Sequence, residues 1–389
     1  MIILDHPYVS KFLEETLIRT QIPVLRNEAT RELGLSQQLN YLNDAAFVAE
    51  AQKHPSPLIY TNSENPIEWI SRYLQFTGLP RHIQNFKDKV RFRELIKEMY
   101  PNFYFREIAF HDLDSIDINT LPLPCIIKPS IGFFSIGVYV INSKTEWPQI
   151  LHQLKRDVAD RQGLYPNEVI NTTNFILEEI ISGDEFAVDV YYNREGQPII
   201  LNILQHLFSS DEDVSDRVYL TSREIMKTWL KPFQAFLRQL GEVAGLSNFP
   251  MHIEVRVDEN QRIVPIEVNP MRFAGWCVTD LAWYAYGINV YECFFQQTEP
   301  DWPNILKSSS SDIYSMVVAD LPKDIHADDI EAIDYERFQA HFEDPLELRK
   351  IDYKKHGVFA FQYARTSHHN RKLLEDILQS DLKEFLILK

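Results

Sequence analysis

The sequence predicts an α/β chain in three parts. A small parallel layer spans 1–85, a mixed α+β body spans 86–306 with its lobes dividing near residue 174, and a short α+β appendage spans 312–389. Three observations lead there. Short apolar runs alternate with amphipathic helical stretches through 1–85, the pattern of a parallel layer. Residues 251–269 form two alternating runs around the turn-forming Asp258, Glu259, Asn260 and Gln261, a β-hairpin. Lys307-Ser-Ser-Ser-Ser-Asp312 is a polar linker.

Composition narrows the function classes. A chain of 389 residues with 45% hydrophobic and 12% aromatic residues can bury sizeable cores in two or three domains. The formal net charge of −17 argues against nucleic acid or an anionic membrane as main partner, though not against a local basic pocket. Cys125, Cys277 and Cys293 are odd in number, lack metal spacing and lie in apolar contexts. Buried free thiols in a reducing compartment are therefore expected. No stretch nears 18 apolar residues, and the first residues carry no leader pattern, so a cytoplasmic location is the expectation.

In chain order, Ile2–Leu4 reads as a buried strand, and Ser10 as the cap of a helix with Phe12, Leu13 and Leu17 on one side. Ile22–Leu25 is a second strand, 35–53 is helical in pattern, Leu58–Thr61 is a strand and Pro66–Tyr73 a helix. No Gly-x-Gly-x-x-Gly occurs in this layer, so it lacks a dinucleotide fingerprint. Residues 86–99 make one strongly basic amphipathic helix, closed by Pro101. A short buried strand, Cys125–Pro129, carries Lys128 at its end. The loop Ser130–Gly137, with two glycines and Ser135, leads to a strand at Val138–Ile141. Such a loop either lets backbone N–H groups approach a phosphate or is an ordinary hairpin turn. It is not a P-loop, because a strand follows it.

Residues 145–162 read as helix and Phe175–Ile181 as strand. The alternating run Asp184–Tyr191 puts Glu185 and Asp189 on one face. An acidic loop, 209–216, leads into Arg217; 222–244 is a long amphipathic helix stopped by Gly245, and a further helix runs from about 280 to 295. Beyond the linker, strands and helices at 314–321, 327–341, 359–363 and 370–380 make the appendage.

The hairpin carries the sharpest chemistry. Folded about the midpoint between Asn260 and Gln261, it puts Glu254 opposite Glu267 and His252 opposite Asn269, on one face with Arg256 and Pro265. Ile253, Val255, Val257, Val264, Ile266 and Val268 take the other face. Opposed carboxylates with Cβ atoms about 4.5–5.5 Å apart repel, so something positive must offset them. Arg256 on a solvated face would serve. So would a hard divalent cation such as Mg²⁺, which takes one or two carboxylates together with nucleotide phosphates.

Taken together, these features resemble the ATP-grasp superfamily of carboxylate–amine ligases, in the branch that includes D-alanine–D-alanine ligase. The resemblance covers about 85–300. It implies a Rossmann-like domain before the ATP-grasp body, whose two lobes are 86–174 and 175–306. It implies that Lys89, in Asp88-Lys89, and Lys128 contact nucleotide phosphates, with Ser135 in the phosphate loop. Glu178, the backbone of Glu179 to Ile181, and Glu185 correspond to the adenine hinge and the ribose acid. Glu254, Glu267 and Asn269 correspond to the metal ligands, for one or two Mg²⁺ ions or Mn²⁺ in their place. Arg217 and Arg272 fall where relatives place basic residues near the transferring phosphate and the acyl phosphate.

The implied activity is ATP-dependent joining of a small carboxylate to an amine, possible substrates being amino acids or a dipeptide, with release of ADP and phosphate. Many relatives are homodimers. A phosphotransferase on the same scaffold and a non-catalytic nucleotide-binding regulator are the alternatives. His252 stands where many relatives have arginine, and the phosphate loop is poorer in glycine than usual.

Overall fold

A computed structural model describes residues 1–131, 137–161, 171–208, 217–322 and 324–389. They fall into two compact units. The first comprises Met1–Gly183, Tyr191–Pro198 and Phe236–Trp276; the second comprises Asp184–Val190, Ile199–Ala235 and Cys277–Lys389.

The first unit opens with the expected parallel layer. Strands Ile2–Ile3, Val24–Leu25, Tyr41–Leu42 and Tyr60–Thr61 pair in parallel, in the spatial order third, second, first, fourth. Ser10 caps the helix Lys11–Thr20 by accepting from the Leu13 N–H at 3.1 Å. The segment expected as one helix over 35–53 is instead the strand Tyr41–Leu42 followed by the helix Asp44–Ala51. Pairing of Tyr41 with Val24 overrides the local pattern, and Asn43 starts the helix by accepting from the Ala46 N–H.

The basic segment is likewise two helices, Leu79–Lys87 and Lys89–Leu95. Asp88 stands between them in extended conformation, its carboxylate accepting from the N–H groups of Val90 and Arg91. An aspartate that caps a new helix interrupts the old one.

A four-stranded antiparallel sheet follows in the same unit, ordered Phe105–Ala109, Asn171–Glu179, Cys125–Ile131, Tyr139–Ile141. Cys125, Ile127, Ile141, Leu154, Phe175 and Leu177 form a core on one side of it. Lys128 and Glu178, of opposite parity to that core, take the other side.

The hairpin is made of Phe249–Val257 and Ile263–Pro270. Its register pairs Glu254 with Glu267 and His252 with Asn269, as expected. A bulge between Glu254 and Val255 then pairs Val255 with Pro265 and Arg256 with Val264. Beyond it the two-residue parity shifts on one strand, so Pro265 is buried and Ile266 is only partly covered, the reverse of the expected faces.

In the second unit, antiparallel strands run in the order Pro198–Leu207, Val218–Ser222, Ile313–Asp320, Val358–Thr366, Asp344–Lys350. The segment expected as an appendage supplies three of these strands, and Ile313–Asp320 pairs with Val218–Ser222 as well as with Val358–Thr366. Val218, Val317, Phe338, Phe359, Ile377 and Phe385 pack beneath. The helix expected over about 280–295 is broken into Leu281–Tyr286 and Val290–Gln296 at Gly287, whose φ of 69° is left-handed.

Cys125 and Cys277 are buried and Cys293 partly so, and all three are free thiols. Among the described residues no helix is long and apolar enough to cross a membrane.

Candidate functional site

The first unit gathers charged side chains from four separate stretches. The short helix Lys89–Leu95 presents Lys89 and Arg93 one turn apart, hence on one face. The strand Cys125–Ile131 supplies Lys128, and its neighbour Asn171–Glu179 supplies Glu178. Opposite pairing of Ile126 with Glu178 and of Lys128 with Ile176 makes Lys128 and Glu178 diagonal neighbours on one face.

Glu178 is 1% exposed and binds two cations. Its Oε1 lies 2.6 Å from Lys128 Nζ, and its Oε2 accepts from Arg93 Nε at 2.7 Å. Arg93 also donates to the Pro265 carbonyl at 2.7 Å, which ties it to the bulged hairpin. Burial alone would raise the Glu178 carboxyl, but the Arg93 and Lys128 charges overcome it and hold its pKa at about 2. The Lys128 ammonium is pushed below its ordinary value by burial and by the nearby Lys89 and Arg93 charges, against the pull of Glu178. Two buried cations share one carboxylate, and the cluster carries unbalanced positive charge.

The acids of the hairpin lie close by. Glu267 Oε2 is 2.9 Å from Lys89 Nζ. Burial opposes both charges, yet each stabilises the other: the Glu267 carboxyl is lowered by Lys89 and Lys87, and the Lys89 ammonium is raised by Glu267, Glu64 and Glu178. Glu254 Oε1 accepts from Asn269 Nδ2 at 3.2 Å and lies 3.8 Å from His252 Nε2. Arg272 Nη2 reaches Glu64 Oε1 at 3.3 Å, and Lys87 Nζ reaches the other Glu64 oxygen at 2.5 Å. Burial would raise the Glu64 carboxyl, but Lys87 and Arg272 bring it down to about 2.

Among the described residues no group of three His, Cys, Asp or Glu side chains gathers to hold a metal ion. Two opposed carboxylates and a buried amide on one hairpin face are a smaller set of oxygen ligands. It fits a hard cation that completes its shell with phosphate oxygens and water, not an all-protein cage.

The remaining expected residues lie as follows. Ser135 lies outside the described residues, as does the acidic loop at 209–216. The Glu179 N–H donates to the Tyr104 carbonyl at 3.1 Å, its carboxylate accepts from the Tyr104 N–H, and the Ile181 carbonyl accepts from Arg256. These groups, expected at an adenine edge, are thus engaged within the chain. Within the second unit, Glu185 Oε1 is 3.2 Å from Nδ1 of the buried His206, whose ring stacks on Tyr219 at 4.5 Å.

Arg217, expected near a phosphate, pairs with Asp320 at 3.0 Å and donates to the carbonyls of Leu378 and Ser380. These partners hold its guanidinium within the second unit. Arg93, Lys87 and Glu64 were not expected. Arg93 had one usable signal, its spacing of four from Lys89. The other two had none.

The family description of the ATP-grasp domain matches residues 121–280. No curated protein sequence matches the chain. Among solved structures, an L-amino acid ligase from Bacillus licheniformis aligns with a TM-score of 0.67 at 16% identity, over 100% of this chain and 98% of its own. Biotin carboxylase from Campylobacter jejuni aligns with a TM-score of 0.64 at 12% identity, over 100% and 91%. N5-carboxyaminoimidazole ribonucleotide synthetase from Thermotoga maritima aligns with a TM-score of 0.62 at 14% identity, over 99% and 97%. Residues 121–280 match the ATP-grasp domain, and the fold of the chain is the ATP-grasp fold.

Proposed function

We propose that this protein is an ATP- and Mg²⁺-dependent ligase that joins a small carboxylate to an amine through an acyl phosphate. The observation that carries the reading is the buried cluster in which Lys128 and Arg93 share the single carboxylate of Glu178. A site with surplus buried positive charge favours an anion, and a nucleotide phosphate supplies one. Lys89 and Lys128 would neutralise phosphate oxygens, and Glu254, Glu267 and Asn269 would hold the metal. A magnesium ion so held supplies charge stabilisation to phosphate oxygens.

A substrate carboxylate oxygen attacks the γ-phosphorus, and the bond to the ADP oxygen breaks. The amine nitrogen then attacks the acyl carbon, phosphate leaves, and the amine loses a proton. The chain's share of this work is positioning and electrostatics, because little covalent chemistry falls to the protein in phosphoryl transfer. Arg272, held by Glu64, would steady the acyl phosphate. Glu185, held by His206, would meet the ribose.

The fold likeness to an L-amino acid ligase supports amino acids as the first substrates to try. Calorimetric titration with a non-hydrolysable ATP analogue and Mg²⁺ tests the reading. Lys128→Ala and Glu267→Gln should each weaken binding by about tenfold or more, a loss of at least about 1.4 kcal/mol. Unchanged affinity in both variants would end the assignment. Phosphate release measured across pairs of amino acids would then identify the carboxylate and the amine, and omitting the amine should abolish steady turnover.

A further inference from the structure

The first unit holds a second concave site, lined by none of the charged cluster described above. A crevice of about 300 Å³ opens at the carboxyl ends of the parallel strands Ile2–Ile3 and Val24–Leu25. One wall is the helix Ile67–Tyr73, which follows the strand Tyr60–Thr61 on the other side of the first strand. The chain therefore leaves the first strand toward opposite sides, and crevices outside the carboxyl ends at such a reversal are where open parallel sheets take ligands. The volume lies at the lower end of the range for small-molecule sites.

The floor and one wall are apolar and fixed. Trp69 donates from Nε1 to Asp44 Oδ1 at 2.7 Å, meets Phe47 edge-on at 5.3 Å, and has the Tyr73 ring 5.0 Å away. The rim carries both signs of charge. Asp5 is pre-positioned, with its N–H donating to Asn62 Oδ1 at 2.8 Å and its Oδ1 accepting from the His6 N–H and from Asn65 Nδ2. Arg72 lies over the Tyr73 ring at 5.4 Å, and Glu68 stands one turn back on the same helix face.

We propose that this crevice binds a free α-amino acid with an apolar or aromatic side chain. Asp5 and Glu68 take the ammonium group, and Arg72 takes the carboxylate, a planar match for its guanidinium. The side chain lies on the ledge of Trp69 and Tyr73, which offers large apolar area at small entropic cost. The proposal stands on the crevice alone, independently of the nucleotide reading.

Calorimetric titration of the full chain with phenylalanine, leucine, glycine and glutamate, without nucleotide, tests it. Phenylalanine or leucine should bind. Arg72→Ala, at an exposed position, and the isosteric Asp5→Asn should each weaken that binding by about tenfold. Phenylalaninamide and N-acetylphenylalanine should bind more weakly than phenylalanine, and Lys128→Ala should bind it as the parent does. No binding of any apolar amino acid, or binding undiminished in both crevice variants, would overturn the proposal. If phenylalanine binds and the ATP analogue does not, the crevice stands and the nucleotide reading falls.

Discussion

Lys128 and Arg93 hold opposite oxygens of one carboxylate, that of Glu178. Breaking a buried pair leaves an uncompensated charge, at a cost of roughly 3–5 kcal/mol. Glu178→Gln should therefore lower unfolding free energy by about that amount, since it strands two buried cations at once. Urea denaturation measures the change, and a loss below about 1 kcal/mol would show that water already reaches the cluster.

The same carboxylate predicts an acid-sensitive stability. Its pKa falls from 4.5 in an ordinary setting to about 2 in the fold. A depressed carboxyl contributes stability that is fully present above the unfolded value and is lost as pH falls from 4.5 through about 2. Glu64 behaves alike. Denaturation at stepped pH should show the parent losing stability across this window more steeply than Glu178→Gln, which lacks one of the two groups.

Asp88 both ends one helix and starts the next, by accepting from the Val90 and Arg91 N–H groups at 2.9 and 3.3 Å. Asp88→Ala should cost about 1 kcal/mol of stability as a lost cap. Lys89 is the first residue of the capped helix, so affinity for the ATP analogue should fall as well. Asp88→Asn, which keeps a capping oxygen, should restore both.

Gly183 has a φ of 112°, and a Cβ there would lie 2.0 Å from the Val257 carbonyl oxygen. The three nearest atoms, the Val257 carbonyl oxygen and carbon and the Asp258 Cα, are all backbone, so nothing flexible can yield. Gly183→Ala should cost more than about 2 kcal/mol, from strain and clash together. Thermal unfolding would read this as a clear drop in midpoint.

Arg217→Ala separates packing from phosphate contact. Its partners are Asp320 and two carbonyls near the end of the chain. Removing hydrogen bonds from a charged donor should cost about 1–3 kcal/mol of stability while leaving affinity for the ATP analogue unchanged. A fall in nucleotide affinity with no loss of stability would return Arg217 to the phosphate.

Much of the site was legible because its signals were local. Two alternating runs about a polar turn follow from spacing, and the Glu254–Glu267 register followed from the turn's centre. Asp88-Lys89 was marked by the family resemblance, and the strand expected to end at Lys128 runs on to Ile131. What escaped was decided at a distance. One extra residue at the bulge moved Pro265 inward and Ile266 outward, which strand parity has no means to anticipate. The strand Tyr41–Leu42 lies in a segment of helical pattern, and its pairing with Val24–Leu25 decided the outcome.

By itself the sequence determined the α/β class, the parallel N-terminal layer and the hairpin face with Glu254, Glu267 and Asn269, because periodicity and capping act within a few residues. Most other charged groups of the site were marked by the family resemblance. Only the tertiary structure decided how those charges share partners. Arg93 is one cation among several on a basic helix until Glu178, 85 residues away, is buried against it. Arg217 likewise finds Asp320, 103 residues away, and the Leu378 carbonyl only in the folded chain. Burial sets the strength of a charge's interactions, and burial is a property of the folded chain, not of any stretch of it.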